Sequence, residues 1–432
     1  MSLRSKAAAG CLVAALSLGI AACGSDNNSS SSSGGGTVDV YSSLPLQGAS
    51  KAQTGAMVQG MKLAYEQAGG KAGDTKVNYT SLDDSTAQAG NWDPAQVASN
   101  ARKVAQDSKA IAYIGEFNSG ASAISIPVLN GANILQVSPS NTAVGLTRSQ
   151  GAEKGEPDKY YPTGKRTYAR IVPRDKIQAA ALIKQMQDDG CTNIAVANDK
   201  ETYGAGLARI VVLDAQNAKL KIQNTGIQKD APNFRSYASG LKADGVDCFL
   251  FSGVTANGAV QITKDVAAAL PDAKLYGPDG VCESGFTNPK QKGIPASLAP
   301  RFKCTVATLS LKATPGGAQF IKDFQAKYGI SNPDPYAIYG YEAMKLVLDT
   351  IEAGGTTKAD FVTKIFETKD RDSVLGQYSI DQNGDTTLTG GVGVAEFPDC
   401  MADGVLQCRL CPLAIAIGHG DGSQTGVGVV AM

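Results

Sequence analysis

The chain has 432 residues, with 40 basic and 40 acidic side chains and no net formal charge. That balance argues against a nucleic-acid or polyanion partner. The length exceeds a typical single domain, and 43 % hydrophobic residues are ample for two cores.

Arg4 and Lys6 precede an apolar run from Ala7 to Ala22 that is too short to span a bilayer. Residues 1–22 therefore read as a signal peptide. The run ends Ile20-Ala21-Ala22-Cys23, which resembles the bacterial lipobox, whose cysteine is lipidated after cleavage before it. The next tract, GSDNNSSSSSGGG, cannot bury enough surface to fold, so residues 23–36 read as a lipidated cysteine and a flexible tether. One acyl chain holds a membrane only marginally, so stable anchoring needs more than one. The expectation is an extracytoplasmic protein anchored to the membrane by lipid at Cys23.

An α/β rhythm begins at Thr37. Val38–Ser42 reads as a strand, Met57–Gln67 as a helix closed by Gly69-Gly70, and Val77–Leu82 as a strand running into Asp83-Asp84. A helix over Ala95–Gln106 leads to the apolar run Ile111–Ile114, a helix over Ala121–Asn130, and a second apolar run over Ile134–Val137. Short apolar runs with a helix between them are a parallel βαβ unit. The polar stretch 147–164 reads as a surface insertion, and Arg170–Asp175 as a crossing into a second lobe. Helices are then expected at 177–188, 205–216, 234–243 and 256–270, with strands at 194–198, 221–224, 248–252 and 274–276. Thr305–Leu309 reads as a second crossing, followed by helices at 317–328, 336–352 and 358–367. The fold class is α/β, with two doubly wound parallel-sheet lobes forming a clamp.

Ligands of such sheets sit beyond the carboxyl ends of the strands. Two adjacent strands end there in Asn118-Ser119-Gly120 and in Ser138-Pro139-Ser140-Asn141-Thr142. Ser119 stands near the start of the following helix, where free N–H groups and the helix dipole attract a carboxylate. Capping and turn chemistry would explain either strand end alone; the adjacent pair favours a site.

The ordered set Leu44-Pro45 with Gly48, Gly69-Gly70, Asp83-Asp84, Gly115–Ser119, Ser138-Pro139, Tyr203–Ala208 and Gly277-Pro278-Asp279-Gly280 spans Val38 to about Thr389. In this order the motifs resemble the substrate-binding proteins of ABC importers, in the leucine/isoleucine/valine-binding branch of the type I periplasmic binding proteins. The resemblance implies two lobes joined by three hinge crossings. They would be residues 37–169 with 306–376 and residues 170–305 with 377–397, closing over a small ligand such as an amino acid, amide or urea. It places Ser119, Asn141 and Thr142 on the ligand carboxylate, and Tyr203 and Asp279 on its α-ammonium group. It further implies delivery to an ABC permease by a monomer without a cofactor. A tethered sensor signalling through a membrane partner is the alternative that the same lobes allow. The chain departs from the family where Gly253-Val254-Thr255 replaces an aromatic strand end, and where Gln47, Lys51 and Gln53 stand in place of an aromatic lid.

An enzyme is not expected. His419 is the one histidine, so no Ser-His-Asp or histidine–metal cluster can form. No phosphate-binding or nucleophile-elbow motif appears in its proper context. Asp83-Asp84 reads as a solvated turn. Cys191 and Cys248 begin strands that a doubly wound order makes neighbours, so a disulfide is expected there, and Cys282 with Cys304 is a second candidate pair. Cys400, Cys408 and Cys411 with His419 match no common zinc spacing. For residues 398–432 a shifted reading frame or a disordered end is expected, rather than a metal site.

Overall fold

A computed structural model describes residues 36–388 and the strands Gly393–Glu396, Leu410–Pro412, Ala414–Ala416 and Gly428–Val430. The signal segment, Cys23, the tether and the remainder of the tail lie outside the described residues, including the expectation of a disordered or frame-shifted end.

The first lobe opens with β1 (Thr37–Leu44), α1 (Lys51–Gln67), β2 (Lys71–Ala72), β3 (Thr75–Asp83) and a small hairpin of β4 (Ser85–Thr86) and β5 (Asn91–Trp92). It continues through α2 (Pro94–Gln106), β6 (Ala110–Gly115), α3 (Ser119–Gly131), β7 (Leu135–Ser138) and β8 (Tyr168–Arg170). The sheet runs β2-β3-β1-β6-β7-β8 and is parallel from β3 onward. Every residue of β6 and β7 is buried, as strands covered on both faces must be. Asp93 starts α2 cleanly: its side chain accepts from the N–H groups of Ala95 and Gln96, and Pro94 takes the position whose N–H would be orphaned.

The second lobe comprises α4 (Asp175–Asp188), β9 (Asn193–Asn198), α5 (Thr202–Asn217), β10 (Lys221–Gly226), α6 (Arg235–Ala243), β11 (Cys248–Ser252), α7 (Val260–Ala269), β12 (Lys274–Gly277), α8 (Ser284–Thr287) and β13 (Phe302–Val306). Helices α9 (Gly317–Tyr328), α10 (Tyr336–Glu352) and α11 (Lys358–Phe366) then return to the first core, where α10 lays Ala337, Ile338, Met344 and Val347 among Met57, Met61 and Leu63. The strands β14 (Gly393–Glu396) and β15 (Leu410–Pro412) complete the second sheet, whose order is β10-β9-β11-β12-β13-β14-β15. The last two are antiparallel additions, and β16 (Ala414–Ala416) pairs with β17 (Gly428–Val430).

The expected architecture is therefore present, with local differences. Helix α1 starts at Lys51 instead of Met57, because buried Thr54 donates to the carbonyls of Pro45 and Ser50 and draws the first turn onto the loop. The helix expected from Ala256 becomes regular only at Val260, since Gly258 at φ +83° interrupts its first turn. The segment assigned to the second lobe from residue 377 begins in the first: Tyr378 and Ile380 lie in the first core beside Leu375, and the Tyr378 hydroxyl donates to Glu342 on α10 at 2.8 Å. The 147–164 insertion is anchored by a core of its own, in which Tyr160 and Tyr161 pack with Ile126, Leu146 and Tyr168.

Candidate functional site in the interlobe cleft

On the first lobe, the ends of β6 and β7 are tied together. Ser138 Oγ donates to the Glu116 carbonyl at 2.9 Å, and Asn141 Nδ2 donates to the carbonyls of Glu116 and Phe117 at 3.0 and 2.8 Å. Asn141 Oδ1 accepts from Ser122 and from Tyr168. Two donated and two accepted bonds exhaust a carboxamide. Asn141, expected to touch a ligand carboxylate, instead holds the loop in shape. Ser119 begins α3 and its Oγ accepts from Ala143 N at 3.4 Å, which brings Ser119 beside the Thr142 loop.

Beneath that loop lies a feature absent from the sequence reading. Asp84 is fully buried, with no hydrogen-bond partner on either oxygen, so it is not a solvated turn residue. Burial first, and the charge of Glu116 second, push its carboxyl far up. Burial likewise raises Glu116, whose Oε1 accepts from Tyr113 at 2.6 Å. Burial and the charge of Glu116 both disfavour ionisation of Asp84. Its neighbour Asp83 does the ordinary work of a turn, accepting from Leu46 N, Gln47 Nε2 and Ser85 N at 2.9 Å each.

Two aromatic side chains stand near these first-lobe loops. A Cβ on Gly120 would lie 2.8 Å from Trp92 Cζ2, so the indole rests directly on the first turn of α3 and only glycine fits there. Phe117 meets Tyr336 edge-on at 6.0 Å. Neither aromatic stands in the loop where the sequence reading sought a lid. Trp92 is the one tryptophan of the chain, and its rarity was the available signal.

The second-lobe residues converge on Asp279, just beyond β12. Its Oδ1 accepts from the Tyr203 hydroxyl and from Gln178 Nε2, the latter at 2.8 Å, and its Oδ2 accepts from the Tyr336 hydroxyl at 2.9 Å. Tyr203 comes from the first turn of α5, Gln178 from α4, and Tyr336 from α10 of the other lobe. A Cβ on Gly280 would meet Gly253 O at 2.5 Å and Tyr203 Cε1 at 2.9 Å, so a side chain there would push this cluster apart. Gln178 Nε2 also reaches Asp175 Oδ1 at 3.2 Å. Burial raises the carboxyl of Asp279, and burial together with the Asp279 charge pushes Asp175 up to about 7. Among the described residues, the ion pairs of the neighbouring guanidinium groups go elsewhere: Arg170 and Arg174 pair with Asp385 at 2.9 and 3.2 Å. Sequence reasoning missed Asp175, Gln178 and Tyr336.

Cys191–Cys248 and Cys282–Cys304 are disulfides, with Cα–Cα separations of 5.8 and 5.7 Å. The first joins neighbouring β9 and β11 at their amino ends. Among the described residues the one cluster with metal-ligand spacing is Cys191, Asp247 and Cys248, and its two thiols are consumed by that bond. Among the same residues, no helix is long and apolar enough to cross a membrane.

Known proteins share this fold. The family model described as periplasmic binding protein matches residues 42–400. A Leu/Ile/Val-binding protein homolog of Brucella melitensis is 27 % identical over 362 residues, covering 81 % of this chain and 87 % of its own. A Pseudomonas aeruginosa protein that binds leucine, isoleucine, valine, threonine and alanine is 26 % identical over 303 residues, covering 68 % and 73 %. The crystal structure of a leucine-binding protein from Thermotoga maritima superposes with a TM-score of 0.71 at 20 % identity, covering 86 % of this chain and 97 % of that one. With two doubly wound lobes meeting at Asp279 and a family match over most of its length, the chain belongs to the type I periplasmic binding proteins, in the leucine/isoleucine/valine-binding branch.

Proposed function

We propose that the protein is an extracytoplasmic solute-binding lipoprotein that captures an amino-acid-like ligand between its lobes and delivers it to an ABC permease. It performs no catalysis on that ligand. The observation that carries the reading is Asp279: a carboxylate gripped from both lobes, without a cationic partner among the described residues. An α-ammonium group at Asp279 and a carboxylate at Ser119, Thr142 and the amino end of α3 would satisfy both ends of a zwitterion. Charged groups buried in a cleft need such pairing to offset their desolvation. The Brucella and Pseudomonas relatives, named for binding aliphatic amino acids, support the same class.

A thermal-shift screen of the purified protein against amino acids, amides, ureas and aromatic acids tests this reading. A ligand at a hundredfold excess over Kd stabilises by about 2.7 kcal/mol, a shift that is easily read. A folded protein that responds to aromatic acids or ureas and to no α-amino acid would overturn the zwitterion assignment. The anchor is tested separately. Cys23→Ala should leave the precursor uncleaved or release the protein from the membrane fraction, and normal processing with membrane retention would refute the lipid anchor.

A further inference from the structure

The 147–164 insertion is built on the first lobe and touches the second. The Tyr161 hydroxyl donates to the Leu146 carbonyl at 2.7 Å, and Thr163 Oγ1 donates to Asn130 Oδ1 of α3 at 2.8 Å. Toward its tip, buried Glu156 accepts from the Tyr160 hydroxyl at 2.6 Å and from Glu153 N at 2.8 Å, and Lys159 pairs with it at 3.2 Å. A Cβ on Gly145 would collide with the Glu156 carboxylate, so the chain entering the insertion closes directly over that group. These contacts order the tip before any partner is reached, which lowers the entropy cost of docking it. The tip meets α5 of the second lobe. Arg209 Nη1 donates to Glu153 Oε1 at 3.0 Å, and Lys159 Nζ lies 3.9 Å from the other Glu153 oxygen. A Cβ on Gly151 would collide with Ile210 Cδ1, so the backbone of the insertion lies directly on that side chain. Ile210 is buried, while Leu213 farther along α5 is 47 % exposed. Just before the insertion, Val144 packs with Tyr203, Leu207 and Ile210 of the same helix.

We infer that the insertion is a strap that fastens the closed clamp: Glu153 and Gly151 engage Arg209 and Ile210 when the lobes meet, and ligand leaves only after they part. The inference rests on the binding-protein reading above and adds a control on ligand release. The lobes touch in this structure, because Tyr336 of the first donates to Asp279 of the second at 2.9 Å. The strap adds a second bridge between them, made by residues outside the Asp279 and Ser119 corners. Contacts made only in the closed arrangement favour it by their own free energy, and they act on dissociation more than on encounter. The pair is partly exposed, Arg209 by 32 % and Glu153 by 55 % of the side chain, so its share is that of a surface ion pair.

Stopped-flow dissociation of leucine from the full chain reads the strap, in wild type, Arg209→Gln, Glu153→Gln and the double variant. Each single variant should release leucine about two- to fivefold faster at an unchanged association rate, the range of one exposed pair. The double variant should add nothing further, because both single variants break the same contact. Salt at about 1 M should bring wild type close to the variants, since it screens an exposed pair. Unchanged release in both single variants, or accelerations that multiply in the double one, would overturn the strap. So would an effect confined to association. If leucine does not bind, the same variants are read with benzoate or urea, so the strap is judged separately from the amino-acid reading. A protein that binds none of these probes would remove the clamp reading and the strap with it.

Discussion

Asp385→Asn should cost about 3–5 kcal/mol of folding stability, the usual result of stripping one partner from a buried ion pair. Asp385 is the hub of three guanidinium groups: Arg170 at 2.9 Å, Arg148 at 2.8 Å and Arg174 at 3.2 Å, with the Thr147 hydroxyl donating at 2.7 Å. Arg170 is wholly buried, and its Nη1 donates to the carbonyls of Asn141 and Ala143 at 3.1 and 2.8 Å. An uncharged residue 385 strips the wholly buried Arg170 of its bonded carboxylate and loosens the carbonyls that flank Thr142. Denaturant unfolding should therefore shift to lower midpoint, and ligand affinity should fall with it. A loss below about 1 kcal/mol, the range of a surface pair, would mean that the cluster contributes no more than an exposed ion pair.

The same hub sets an acid limit. Burial opposes the charge on Asp385, yet the arginines outweigh it and hold the carboxyl down to about 2. A carboxylate whose folded-state value lies below its unfolded value stabilises the fold above the unfolded value, near 4, and loses that contribution as pH falls toward 2. The hub's share is about 2–3 kcal/mol on the linkage relation. Wild type should lose stability across that window more steeply than Asp385→Asn does. Parallel slopes would assign the acid sensitivity to other groups.

Asp279→Asn should weaken an α-amino ligand about ten- to a hundredfold, the equivalent of roughly 1.5–3 kcal/mol for a charge-assisted hydrogen bond. The variant removes the Asp279 charge while nearly preserving shape. Tyr336→Phe is the control, because it deletes a single neutral hydroxyl bond from the other lobe and leaves the charge in place. Ser119→Ala should cost less than Asp279→Asn, since backbone N–H groups still face the carboxylate. Titration of the variants with one amino-acid ligand separates charge from contact. Unchanged affinity in Asp279→Asn would remove the ammonium from this corner of the cleft.

How much of this was legible in the residues follows from sequence distance. The parallel strands and most helix spans were readable because their signals are local: apolar runs of β6 and β7, and turn residues such as Gly69-Gly70 and Ser138-Pro139. The convergence of Ser119 with the Thr142 loop also followed, since adjacent parallel strands must end side by side. Tyr203 and Asp279 came from motif order and proved to be bonded to each other. What stayed hidden depends on contacts between distant positions. Gln178 reaches Asp279 across 101 residues, and Arg170 reaches Asp385 across 215. Neither Gln178 nor Tyr336 breaks a local pattern, because each sits where an ordinary amphipathic helix would allow it. Asn141 misled for the converse reason: a carboxamide at a strand end looks identical whether it faces a ligand or its own loop.

The two disulfides lie in the second lobe, and the stretches 36–169 and 307–388 contain no cysteine at all. The bridges close loops with sequence separations of 57 and 22 residues. On the chain-entropy relation these restrict the unfolded chain by about 4 and about 3 kcal/mol, together comparable with the whole net stability of a domain. Among the described residues, oxidation thus acts on one half of the clamp. Chain made in a reducing cytosol would carry a first half near full strength and a second half deprived of its staples. A preparation could then pass a test of helix content while the half that holds Asp279 is too weak to close. Export to an oxidising compartment before folding, or deliberate reoxidation, becomes a condition for measuring any affinity at all.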